Sequence, residues 1–130
     1  QLERIKKLNT LRKKVFEYYN KRLKGIRYLI TPPSSDDDHA YHLYILRVEK
    51  NSKVSRDELF RHLLQYGIRT SVHYKPLHMF TAFKKLKSNT NHLKNSELLY
   101  DEVISLPFYP NMTKKQQEYV VNSIINIMKA

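Results

Sequence analysis

Tyr66-Gly67-Ile68-Arg69-Thr70-Ser71-Val72-His73-Tyr74-Lys75-Pro76-Leu77-His78 is the stretch on which the fold turns. Its glycine closes a helical pattern. Upstream, Leu59, Phe60, Leu63 and Leu64 share one helical face, and Ser55-Arg56-Asp57-Glu58 has the form of a capping box that opens it. Beyond Gly67, Ile68 to His73 reads as a strand, and Pro76 breaks it because proline has no N–H to give to a ladder. A helix passing into a strand across one glycine points to helices packed on a sheet.

The same alternation extends outward. Toward the N-terminus, Tyr41 to Glu49 is rich in aromatic and β-branched residues and predicts a strand. A shorter strand, Ile26 to Ile30, is closed by Thr31-Pro32-Pro33. Between them Ser34 to His39, with Asp36-Asp37-Asp38, reads as a solvated loop, since the ligand spacing of a calcium loop is missing. Leu2, Ile5, Leu8, Leu11, Val15, Phe16, Tyr19 and Leu23 recur every three or four residues, predicting a long helix capped by Gly25. No N-cap precedes Leu2, so this helix reads as part of something longer. Toward the C-terminus, Leu77 to Leu86 predicts a short helix, Lys87 to Asn91 a polar linker, and Leu98, Leu99, Val103 and Ile104 another helix. Ser105-Leu106-Pro107-Phe108-Tyr109-Pro110 is too proline-rich for a central strand. Thr113-Lys114-Lys115-Gln116 is a second capping-box pattern, opening a helix that buries Val120, Val121, Ile124, Ile125 and Met128. The predicted order is α, β, β, α, β, α, short β, α. The fold class is α/β in the two-layer α+β sense: a small antiparallel or mixed sheet with helices packed on it.

Composition narrows the function classes. With 130 residues the chain suits one small domain, here residues 1–24 as a long helix and 25–130 as a sheet-and-helix body. The absence of cysteine excludes disulfides, zinc ribbons and thiol nucleophiles. Only Gly25 and Gly67 are glycines, which excludes the phosphate-cradling loops of P-loop and dinucleotide-binding proteins. No apolar run is long enough to span a membrane and no signal-peptide pattern opens the chain, so the expectation is a cytoplasmic protein. The net charge of +12 invites a nucleic-acid reading, but sixteen of the 24 cations are lysine, in a sequence also rich in Asn, Ile and Tyr. Residues 1–24 alone hold nine cations and two anions, a solvated or docking face in the plainer reading.

Chemically useful side chains are densest at His73, Tyr74, Lys75 and His78, where the predicted strand ends. A histidine exchanges protons near neutral pH, a tyrosine donates a hydrogen bond while offering its ring, and a lysine supplies charge. These residues read equally as a strand end whose histidine caps backbone groups. Neither His39 with His42 nor His73 with His78 has the helical spacing of a metal pair, so no metal site is expected.

Taken in order, Tyr41-His42-Leu43-Tyr44, Ser55 to Leu59, Tyr66 to His78, Ser96-Glu97, and Ile104-Ser105-Leu106-Pro107-Phe108-Tyr109-Pro110-Asn111-Met112-Thr113 resemble the C-terminal part of the DegT/DnrJ/StrS family. These are sugar aminotransferases that use pyridoxal phosphate (PLP). The opening helix, Gln1-Leu2 through Tyr18-Tyr19, resembles the helix linking the family's large and small domains, so the resemblance covers essentially the whole chain.

The resemblance implies a fold-type-I homodimer that moves an amino group, usually from glutamate, to a keto group on a nucleotide-linked sugar. It also implies that the Schiff-base lysine and the acidic partner of the PLP ring lie in a large domain upstream. The chain alone is then expected to bind no PLP and to be inactive; its partners would be its own large domain, a second subunit and the nucleotide sugar. Ser71-Val72-His73-Tyr74-Lys75 has the serine-to-lysine spacing of the family's Schiff-base motif, but Pro76 follows where a glycine-rich segment should, so Lys75 is not assigned to the cofactor. By position His73 and Tyr74 match the pair near the sugar and diphosphate, His78 closes the motif, and His42 is either a further substrate contact or an anchor for its strand. Strand neighbours point to opposite faces, so His73 and Tyr74 can share a ligand only if the strand ends between them. No arginine lies in segment 105–113 to receive a donor carboxylate. Two other readings stay open: a basic nucleic-acid-binding module, disfavoured because no aromatic RNP-type motif is present, and a non-catalytic interaction domain of the same fold.

Overall fold

The structure is a computed structural model describing residues 2–33, 39–83 and 93–129. Helix α1 (Ile5–Leu23) is followed by β1 (Leu29–Ile30), β2 (Tyr44–Val48), α2 (Arg56–Gln65), α3 (Lys94–Glu102), β3 (Val103–Leu106) and α4 (Lys114–Lys129). Short 3₁₀ turns stand at Leu2–Arg4 and Leu77–Met79. The three strands form one antiparallel sheet in the order β1-β2-β3, with Tyr44 opposite Leu106 and Leu46 opposite Ile104. This is the expected helix-and-sheet architecture, with the sheet purely antiparallel.

The helix boundaries follow local chemistry. The Ser55 hydroxyl accepts the Glu58 N–H while the Glu58 carboxylate takes the Ser55 N–H, the reciprocal cap predicted for α2. These bonds hold the exposed Glu58 carboxyl below its usual range, the backbone bond from Ser55 contributing most. Thr113 and Gln116 make the same exchange ahead of α4. Gly25 and Gly67 both have positive φ (+83° and +72°), where a side chain would be strained, and each lies just past a helix end.

Several expectations are corrected. Ile68 to His73 is not a strand: among its residues only Ser71 pairs, exchanging backbone bonds of 2.8 and 3.2 Å with Ser105. On one side of that rung the next hydrogen-bonded position in β3's direction falls on Pro107, which has no N–H to give. Val103 and Ile104 belong to β3 and not to the preceding helix. Pairing with Arg47 and Leu46 of β2 prevails over their helical spacing. Of Ile26 to Ile30 only the last two residues are strand, because Ile26 and Leu29 are tied into turns and Tyr28 has φ +66°. The helix expected over Leu77 to Leu86 is a single 3₁₀ turn at Leu77–Met79, with a further turn ending at Phe83. The acidic loop at Asp36–Asp38, residues 84–86 and the linker at Lys87–Asn91 lie outside the described residues.

The core lies between the sheet and α1, α2 and α4, around Phe16, Tyr19, Leu23, Tyr44, Leu46, Leu59, Leu63, Ile104, Val121 and Ile124. The Tyr44 ring meets Phe16 and Tyr19 at centroid distances of 5.3 and 4.9 Å, both edge-on. Their hydroxyls are satisfied: Tyr19 donates to the Pro107 carbonyl (2.9 Å) and Tyr44 to Asn20 Oδ1 (2.8 Å). Burial pushes both phenols well above the usual tyrosine pKa. Only the C-terminal half of α1 enters this core, since Leu2 and Ile5 are 84% and 47% exposed. No helix among the described residues is long and apolar enough to cross a membrane.

Candidate functional site

The segment from His73 to His78 leaves the sheet next to β3 and forms one wall of an open groove of about 620 Å³. Ser96, Leu99 and Tyr100 of α3 form the other wall, and Ile45 and Val103 of the sheet line it as well. No strand spans the His73–Tyr74 pair, so the alternation of strand faces does not apply to it. The two rings meet edge-on with centroids 4.7 Å apart. The peptide bond joining the pair is cis.

Each histidine is held from outside the segment. His73 Nδ1 lies 2.9 Å from the hydroxyl of buried Ser105 in β3, which leaves Nε2 without a partner among the described residues. His78 Nε2 lies 2.9 Å from the Glu97 carboxylate in α3. Between them Tyr74 is 75% exposed. The Lys75 ammonium sits 5.2 Å from the centre of the Phe80 ring, a cation–π contact that leaves its charge near the groove.

The second wall is anchored in its turn. Glu102, buried at the end of α3, accepts two bonds from the Arg47 guanidinium (2.6 and 3.1 Å) and the Lys50 N–H (3.3 Å). Buried Arg56 donates to the Val103 carbonyl (3.0 Å) and lies 5.3 Å from the Tyr100 ring. Each of these ties the junction of α3 and β3 to β2 or α2.

The structure thus gathers His73, Tyr74 and His78 at one groove and does not bring His42 there. His42 is exposed on the approach to β2 and is not among the lining residues. Sequence reading missed Ser105 and Glu97 as partners of the histidines, and Tyr100 as part of the opposite wall. Ser96-Glu97 and Ser105 fell inside recognisable motifs, yet nothing local showed that they meet His73 and His78 across 32 and 19 residues. Among the described residues no group of histidines and carboxylates is arranged to hold a metal ion. Nor do the lining residues fit PLP, since no carboxylate stands among them to meet a pyridinium nitrogen.

The chemistry such a groove offers is recognition: hydrogen bonds from an imidazole and a phenol, one ammonium and aromatic surface, suited to a polar ligand carrying negative charge. The chain is 34% identical over 133 residues to the spore coat polysaccharide biosynthesis protein SpsC of Bacillus subtilis (strain 168), covering 99% of this chain and 34% of SpsC. Its fold superposes on S. venezuelae DesV, solved in complex with a ketimine intermediate, with a TM-score of 0.86 at 27% identity over 99% of this chain and 34% of DesV. Helicobacter pylori PseC, an aminotransferase involved in the biosynthesis of pseudoaminic acid, has the same fold with a TM-score of 0.90 at 24% identity, covering 99% and 35%. The chain therefore spans about a third of the length of the relatives it matches. Residues 1–125 match the sequence profile of the DegT/DnrJ/EryC1/StrS aminotransferase family, and the chain belongs to that family.

Proposed function

We propose that the chain is the C-terminal, small domain of a PLP-dependent aminotransferase acting on a keto nucleotide-sugar in polysaccharide or cell-surface sugar biosynthesis, with glutamate as amino donor. The observation that carries this reading is the placing of His73, Tyr74 and Lys75 on one groove in a chain of this family. The polysaccharide-biosynthesis name of SpsC supports it. In this reading the Schiff-base lysine and the PLP cradle belong to a large domain outside this chain, the whole works as a cytoplasmic homodimer, and the chain alone is inactive. The cofactor supplies the carbanion-stabilising chemistry. The residues here bind and orient the sugar.

His73, with Nδ1 engaged by Ser105, presents Nε2 to a sugar hydroxyl or diphosphate oxygen. Tyr74 adds its hydroxyl and an exposed ring, and Lys75 adds charge on the diphosphate side. His78, held by Glu97, lines the same wall as a further substrate contact, and His42 serves as an anchor for the entry to β2.

The test is His73→Asn and Tyr74→Phe in the full-length protein, following PLP absorbance and the two half-reactions separately. Losing one hydrogen bond to a charged group weakens binding by roughly 1.5–3 kcal/mol, so sugar affinity should fall about ten- to a hundredfold. PLP content and the glutamate half-reaction should stay unchanged. A collapse of the glutamate half-reaction with sugar binding intact contradicts the assignment, as does loss of PLP from a folded protein.

A further inference from the structure

His73 and His78 bracket the most exposed part of the groove wall, and both are gripped by one continuous piece of chain. Helix α3 ends at Glu102 and β3 begins at Val103, so Glu97 and Ser105 sit on a single unit with no loop between them. That unit is fixed to the rest of the fold through Glu102 with Arg47, through Val103 with Arg56 and through the β2 ladder. The bracketed residues Tyr74 and Leu77 are 75% and 70% exposed, and neither side chain is bonded among the described residues.

We propose that Glu97 and Ser105 are positioning residues, a two-point clamp that holds the 73–78 segment and thereby presents Tyr74 over the groove. The functional meaning rests on the substrate reading above; the clamp itself is a matter of geometry. Its chemistry is asymmetric. At one end the Glu97 carboxylate accepts from His78 Nε2, a role that an amide oxygen can also fill. At the other, the Ser105 hydroxyl is that residue's one uncommitted polar group, because its backbone N–H and carbonyl are already exchanged with Ser71. A ligand then meets a wall already in place, and less ordering is charged to its affinity.

The experiment compares Glu97→Ala, Glu97→Gln and Ser105→Ala in the full-length protein, by hydrogen–deuterium exchange of the 71–80 segment and by steady-state kinetics. The exchange probes are the amides of Met79 and Phe80, hydrogen-bonded to the Pro76 and Leu77 carbonyls. Thermal unfolding of each variant checks that it folds; Glu97 is half-exposed, so its variants should, and keep a test available should Ser105→Ala not. Glu97→Ala and Ser105→Ala should speed exchange and raise KM for the nucleotide sugar about three- to tenfold with kcat little changed, and Glu97→Gln should restore both toward the starting protein. Unchanged exchange in Glu97→Ala and Ser105→Ala overturns the clamp whatever the kinetics, and so does a Glu97→Gln protein as loose as Glu97→Ala. Faster exchange with an unchanged sugar KM leaves the clamp standing and removes the substrate role of Tyr74.

Discussion

From Ile5 to Lys14, α1 carries Ile5, Leu8 and Leu11 at helical spacing among lysines and arginines; from Val15 to Leu23 it carries Val15, Phe16, Tyr19 and Leu23 in the same way. The second set is buried against the sheet and α4, with Phe16 only 4% exposed, whereas in the first Ile5 is 47% exposed and Leu8 and Leu11 are half-buried. An apolar stripe states which face of a helix wants cover. It does not state what covers it, and here the sheet reaches only halfway along.

The comparison would break first at Phe16. Phe16→Ala removes a ring packed edge-on against Tyr41 and Tyr44, and should cost about 3–5 kcal/mol in denaturant unfolding. A loss under about 1 kcal/mol would place the C-terminal half in the same class as the N-terminal one.

Alkaline pH sharpens the contrast next. Tyr19 and Tyr44 have folded-state pKa values raised by burial, so the native state keeps protons that the unfolded chain gives up near pH 10. The unfolded state is therefore favoured as pH rises above about 10, and stability should fall by up to about 1.4 kcal/mol per pH unit for each tyrosine. Below that range these two groups leave stability flat. Tyr44→Phe should remove one share of the alkaline slope, and a slope unchanged by that substitution would count against the buried-phenol account.

Ile5→Ala should change least, by under about 0.5 kcal/mol in this chain, because the side chain is half in water already. If the same substitution costs 2 kcal/mol or more in a longer polypeptide, in the range of a large-to-small change at a packed site, the N-terminal half of α1 is covered there by residues outside this chain.

Features set by neighbouring residues were the most legible. Ser55 with Glu58 and Thr113 with Gln116 announced two helix starts, and Gly25 and Gly67 two helix ends, because each rests on bonds or backbone angles within a few residues. The apparent strand at Ile68 to His73 and the apparent helical placement of Val103 and Ile104 failed together. Both are long-range matters: Val103 and Ile104 pair with Arg47 and Leu46, more than fifty residues upstream, and of the 68–73 segment only Ser71 pairs, with Ser105. The candidate site divides the same way. His73, Tyr74 and His78 were visible as a cluster, while Ser105 and Glu97, which hold them, arrive only through tertiary contact.

The direct junction of α3 with β3 constrains chain length more tightly than residue identity. One residue inserted between Tyr100 and Val103 would turn Glu97 by about 100° around the helix axis relative to a strand locked in register, and would lift it by about 1.5 Å. Glu97 would then face away from His78, and Ser96 and Tyr100 would rotate out of the groove wall with it. An insertion or deletion here has no loop in which to be absorbed. Point changes on the outer face of α3 should be accepted freely, while a shift of one residue in its length should not.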